Sequence, residues 1–166
     1  MTQVLFRGDP VALSGDLPVV GQTLPAVQSL VGVDLNVHPV PGFADHWLVL
    51  NVFPSIDTGV CATSVKTFNE RAASLDKLTV LCISNDLPFA MKRYASAEGV
   101  DNVVMLSAFR SSFGRDMGLV MQSGPLEGLL ARSVFVVNPE GKIAHVELVP
   151  EIAQEPDYQA ALNAVR

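Results

Sequence analysis

Thiols, imidazoles and positive charge are all scarce in this chain. Cysteine occurs twice in 166 residues, as Cys61 and Cys82, and histidine three times, as His38, His46 and His145. Two thiols are too few for a disulfide scaffold. The scattered histidines lack zinc-ligand spacing, so no metal is expected. Lys and Arg number 11 against 17 Asp and Glu, a net charge of −6. Such a chain lacks the basic patch that counterion release from a phosphate backbone requires, which excludes nucleic acid as an expected partner. No apolar run approaches the ~20 residues that span a bilayer, so no membrane is expected either. The first ten residues, MTQVLFRGDP, have neither the basic nor the apolar region of a signal peptide, and the expectation is a cytoplasmic protein.

What is present suits a folded enzyme-sized unit. Hydrophobic residues make up 49% and charged residues 17%, a balance that excludes a disordered chain. The length fits one domain, read as 1–166, able to bury roughly 70% of the surface its unfolded chain exposes.

Apolar runs and helical spacings alternate along the chain. Val4-Leu5-Phe6 and Val11-Ala12-Leu13 flank Gly8-Asp9-Pro10 and predict a hairpin; a short strand is expected within Leu24 to Leu35, and Pro39, Pro41 and Gly42 mark a loop. HWLVLNVF (46–53), LTVLCIS (78–84), Val103 to Leu106 and RSVFVV (132–137) read as strands covered on both faces. Ala144 to Val149 follows the turn sequence Asn138-Pro139-Glu140-Gly141 and predicts a closing hairpin. Between the strands, Val65, Phe68, Ala72 and Leu75 recur at helical spacing. Further helices are expected from Asn85-Asp86-Leu87-Pro88 to about Tyr94, over Ala108 to Met117, and after Glu155-Pro156-Asp157. This alternation predicts an α/β layer fold.

The segment PSIDTGVC, 54–61, carries the chemistry. It follows a buried strand and opens an amphipathic helix. With Thr58 as N-cap, Cys61 is the third helical residue, near unpaired backbone N–H groups and the positive end of the helix dipole. Both stabilise a thiolate, which is the nucleophilic form of the side chain. The Thr58 hydroxyl is then placed to hydrogen-bond the sulfur or an oxygen bound beside it, and Pro54 to set the chain direction. Asp57 is read as an alternative helix cap. Cys82, among apolar neighbours in LTVLCIS, is read as a core residue. No pair of carboxylates suited to general acid–base work stands out.

Pro54, Thr58 and Cys61 match the P-x-x-x-T-x-x-C motif of the peroxiredoxins, and the chain resembles their bacterial thiol peroxidase subgroup. NVFPSIDTGVCATS (51–64), VLCISNDLPF (80–89), GPLEGLLAR (124–132) and EPDYQAAL (155–162) extend the resemblance over nearly the whole chain, most weakly before residue 45. The resemblance implies a thioredoxin-like fold with a central mixed sheet, flanking helices and an N-terminal hairpin, usually as a homodimer. It implies reduction of hydrogen peroxide and organic hydroperoxides without a cofactor, with thioredoxin or a similar thiol as reductant. Cys61 would be the peroxidatic cysteine that becomes a sulfenic acid, Thr58 its hydroxyl partner, Arg132 the arginine beside the sulfur, and Pro54 the shield of the site.

One position departs from the pattern. The subgroup's resolving cysteine falls within R-F-C-x-A-E-G, where this chain reads RYASAEG (93–99), with Ala95 in place of the cysteine. Either alanine was placed there to arrest the cycle, which the retained flanking sequence favours, or an external thiol resolves the intermediate. Loss of a resolving thiol also suits a non-enzymatic peroxide sensor that passes its oxidised Cys61 to a client. A dithiol oxidoreductase is disfavoured, because Ser64 stands where C-x-x-C would need its second thiol.

Overall fold

The structure, a computed structural model, describes residues 2–26, 29–40 and 45–166. Side-chain alternation along β4 (Trp47–Val52) divides the core into two layers. Leu48, Leu50 and Val52 point to one face of the sheet, and Val49 to the other, which Phe53 beyond the strand end joins. β4 pairs in parallel with β5 (Leu78–Ser84) and antiparallel with β7 (Ser133–Val137). The sheet extends outward through β6 (Val104–Ser107) to β3 (Val31–Gly32) on one side and to β8 (Ile143–Leu148) on the other, in the order β3-β6-β5-β4-β7-β8. The architecture is therefore the mixed sheet expected, with helices on both faces.

Three helices cover the Val49 face. α1 (Gly59–Ala72) contributes Cys61, Val65 and Phe68, α2 (Pro88–Glu98) contributes Met91, and α4 (Tyr158–Asn163) contributes Ala161. Burying Val65 and Phe68 contributes roughly 1.5–3 kcal/mol each to holding α1 on the sheet. The opposite face packs against α3 (Phe113–Asp116) and the hairpin of β1 (Gln3–Phe6) and β2 (Asp9–Ala12). That hairpin turns at Arg7-Gly8, both at positive φ, one residue earlier than the Gly8-Asp9-Pro10 expectation. Gly118 sits against the segment that follows the hairpin: at φ +72 a Cβ would lie 2.7 Å from the Asp16 carbonyl oxygen, so only glycine allows the approach.

Helix boundaries moved more than strands. α1 ends at Ala72, and Leu75 lies beyond it, exposed. α2 continues past Tyr94 to Glu98, where Gly99 at φ 64 closes it. The helix expected over Ala108–Met117 shrinks to the single turn of α3; the Phe113 N–H, which a longer helix would pair with the Phe109 carbonyl, donates to the Ser111 hydroxyl instead. α4 starts where expected, with the Asp157 carboxylate accepting the Ala160 N–H at 3.0 Å. Of the loop expected around Pro39 to Gly42, Pro41 and Gly42 lie outside the described residues.

Candidate active site

Strand register brings the key side chains together. Val52 pairs with Ser133, so Arg132 lies beside the end of β4, where the chain leaves for α1. Thr58 takes the N-cap position with extended backbone (φ −99, ψ 148), and Gly59 opens the helix, making Cys61 its third residue. Cys61 is buried, and its sulfur accepts a hydrogen bond from Arg132 Nη2 at 3.2 Å. Arg132 is itself only 2% exposed, with Nε donating to the Ile152 carbonyl at 2.9 Å. Its other terminal nitrogen, Nη1, is buried and meets no hydrogen-bond acceptor among the described residues. None of the ion pairs among those residues includes Arg132. The sulfur therefore faces a buried, desolvated cation.

Thr58 departs from its expected contact. Its hydroxyl neither caps the helix nor donates to the sulfur, but donates to the Ser55 carbonyl at 3.1 Å. The lone pairs of that exposed oxygen remain able to accept. Asp57 is not the cap; its carboxylate pairs with Arg93 of α2. Pro54 is buried at the end of β4. Ala95 lies half-buried in α2, packed against the hydrophobic cluster that holds both Cys61 and Cys82.

Cys82 occupies the strand beneath α1, in register with Asn51. Burial pushes its thiol up to about 12, outweighing the opposing effect of the Asn51 amide 3.8 Å away. At neutral pH it is a thiol, in keeping with the core role expected for it. Both cysteines are free.

Sequence reading missed the groups that anchor the site. Asn51 Nδ2 donates to the Ser64 hydroxyl at 3.2 Å, which in turn donates to the Cys61 carbonyl at 2.8 Å. The Tyr94 hydroxyl donates to the Ala62 carbonyl at 2.8 Å, tying α2 to the start of α1. Burial, then the nearby Glu98, pushes that phenol up to about 12, so it remains a donor at neutral pH. Asp86 accepts hydrogen bonds from the loop between β4 and α1. Only Asp86 had a sequence signal, its place in SNDLPF, and there it reads as a helix start.

Comparison with known proteins decides the family. A model of the family described as Redoxin matches residues 19–162. Over 165 residues, 99% of each chain, the sequence is 56% identical to a thiol peroxidase of Corynebacterium glutamicum. The chain belongs to the thiol peroxidases, within the redoxin family. A thiol peroxidase of Mycobacterium tuberculosis is 53% identical over the same share of each chain. Among solved structures, a peroxiredoxin-like protein from Aquifex aeolicus superposes with a TM-score of 0.93 at 40% identity, covering 98% of this chain and 95% of that one. A thiol peroxidase from Chromobacterium violaceum shares the fold at a TM-score of 0.87 and 20% identity, covering 97% and 93%. This thiol peroxidase is thus an enzyme of peroxiredoxin type, with the thioredoxin-like fold expected from its motifs. No helix among the described residues is long and apolar enough to cross a membrane.

Proposed function

We propose that the Cys61 thiolate is the peroxide-reducing group and that it acts on hydrogen peroxide and organic hydroperoxides. The observation that carries this reading is the buried Arg132 guanidinium, with Nη2 on the Cys61 sulfur and Nη1 unpartnered. The thiolate attacks the terminal oxygen of ROOH. The S–O bond forms as the O–O bond breaks, leaving Cys61–SOH and RO⁻, which takes a proton to give water or an alcohol. Charge develops on the departing oxygen, where Arg132 Nη1 and the first N–H groups of α1 are placed to meet it. The Thr58 oxygen accepts the hydrogen of the peroxide and orients it, and the buried Pro54 keeps bulk water from the sulfur.

With alanine at position 95, the thiol that resolves the sulfenic acid comes from outside the chain. An external thiol forms a mixed disulfide with Cys61 and releases water. A second thiol then frees Cys61 and carries away the disulfide. Thioredoxin or a similar dithiol suits both steps. The enzyme is proposed to work in the cytoplasm as a single-domain homodimer, and the exposed Leu87, Phe89 and Phe109 are apolar surface available to the partner subunit.

Steady-state turnover of hydrogen peroxide with thioredoxin or dithiothreitol tests the reading. The parent chain and Cys82→Ser are expected to turn over, and Cys61→Ser to be inactive. Undiminished turnover in Cys61→Ser would remove Cys61 from the mechanism.

A further inference from the structure

We infer that Asp86 is a positioning residue for the peroxide step, acting through the loop that carries Thr58; this rests on the reading of Cys61 proposed above. Asp86 lies between β5 and α2, one residue before the Leu87 N-cap. Its Oδ2 accepts the Ile56 N–H at 2.7 Å and the Ser84 hydroxyl at 2.6 Å, and its Oδ1 accepts the Ser55 hydroxyl at 2.8 Å. Its own carbonyl accepts from the Ser107 hydroxyl. One residue thus ties the ends of β5 and β6 to the loop leaving β4.

Asp86 is in none of the ion pairs among the described residues, and the donors to its carboxylate, the Ile56 N–H and the Ser55 and Ser84 hydroxyls, are neutral. A carboxylate held only by neutral donors, three of them converging from two segments, fixes geometry rather than balancing charge.

The contacts run on to the reacting centre. Ile56 is buried in the same cluster as Cys61, so both its backbone and its side chain are fixed. Ser55, held by Asp86, presents its carbonyl to the Thr58 N–H and hydroxyl, each at 3.1 Å, and its hydroxyl oxygen to the Asp57 N–H at 3.2 Å. The direction of the Thr58 oxygen therefore depends on Ser55, and that of Ser55 on Asp86. The sulfur is held by other means: the Tyr94 contact to Ala62, the buried face of α1, and Arg132 anchored on Ile152. Releasing the loop should displace Thr58 while the thiolate and its cation stay in place.

The test compares two reactions of Cys61 in one set of variants. Stopped-flow oxidation by hydrogen peroxide depends on the placement of Thr58, whereas alkylation by iodoacetamide reports thiolate and access. Asp86→Ala removes all three acceptor contacts and is expected to slow oxidation by about 10–100-fold, the scale of a small misplacement of a reacting group. Alkylation at pH 7 should stay within about twofold of the parent, since Arg132 is untouched. Asp86→Asn should restore oxidation to within about threefold, because the amide oxygen can keep Ile56 and Ser84 while the Ser55 hydroxyl reverses to accept from the amide. If Asp86→Ala does not fold, Ser55→Ala removes the Oδ1 contact, together with the Asp57 N–H contact to the same hydroxyl, and should still slow oxidation but not alkylation.

Parental oxidation in Asp86→Ala, or in Ser55→Ala where that variant replaces it, would overturn the inference. Alkylation falling in step with oxidation would do so as well, as would Asp86→Asn as slow as Asp86→Ala. A parent chain that is not oxidised at Cys61 instead removes the reading of Cys61 itself.

Discussion

A guanidinium as buried as Arg132, with no carboxylate paired to it among the described residues, carries a desolvation cost of several kcal/mol unless an anion faces it. The Cys61 sulfur, 3.2 Å from Nη2, is the group that faces it. Arg132→Ala is therefore expected to slow oxidation of Cys61 by about 10²–10³-fold, as for loss of one oxyanion donor. Arg132→Lys should recover only part of the loss, because an ammonium cannot span Ile152 and the sulfur with a planar fork. Stopped-flow oxidation of the folded variants measures both, and a parental rate in Arg132→Ala would remove the residue from the mechanism. At this scale the sequence was most legible where spacing along the chain sets position. Thr58 and Cys61 fall at the N-cap and third helical residue because three positions of one helix turn separate them. Asp57 was misread because its partner, Arg93, is 36 residues away. Asp86, Asn51 and Tyr94 act through similarly distant contacts, and no local pattern marks them.

Strands were read more accurately than helices, for a physical reason. β4 and β5 are buried on both faces, so apolar runs mark nearly their whole length. Helix ends depend on caps and on tertiary competitors for backbone groups. α2 outran its expected end at Tyr94 because Gly99, able to take the left-handed conformation, accepts the stop four residues later. The stretch before α3 is not helical, and the Ser111 hydroxyl accepts the Phe113 N–H that a longer helix would pair with Phe109. Two glycines with similar backbones separate conformation from crowding. Gly99 has φ +64 and open space around its missing Cβ, whereas Gly118 has φ +72 and the Asp16 backbone against it. Gly99→Ala is expected to cost about 1–2 kcal/mol, the left-handed penalty alone. Gly118→Ala should cost clearly more, since backbone must also move. Urea unfolding midpoints measure the difference, and equal losses would contradict the tight docking of the N-terminal segment against Gly118.

At the scale of the whole molecule, layer order and sheet composition were legible because the strand and helix patterns alternate, but the strand order was not. Nothing in the chain announces that β7 returns antiparallel beside β4, and that pairing is what brings Arg132 to Cys61. Assembly belongs to this scale as well. Sedimentation equilibrium at micromolar protein is expected to give twice the chain mass, and a monomer across that range would contradict the dimer. The inventory of thiols is also a property of the whole chain. Cys61 faces Arg132, Cys82 is buried with its thiol held neutral, and position 95 is alanine. Peroxide should therefore oxidise one sulfur and find no second thiol to condense with it. Intact-mass measurement after one equivalent of hydrogen peroxide, with the modified residue mapped by peptide digestion, tests this most directly. The chain is expected to gain one oxygen atom at Cys61. Loss of two hydrogens within a monomer would mean that Cys82 resolves Cys61, and an unmodified Cys61 would mean that it is not the peroxide-reducing group.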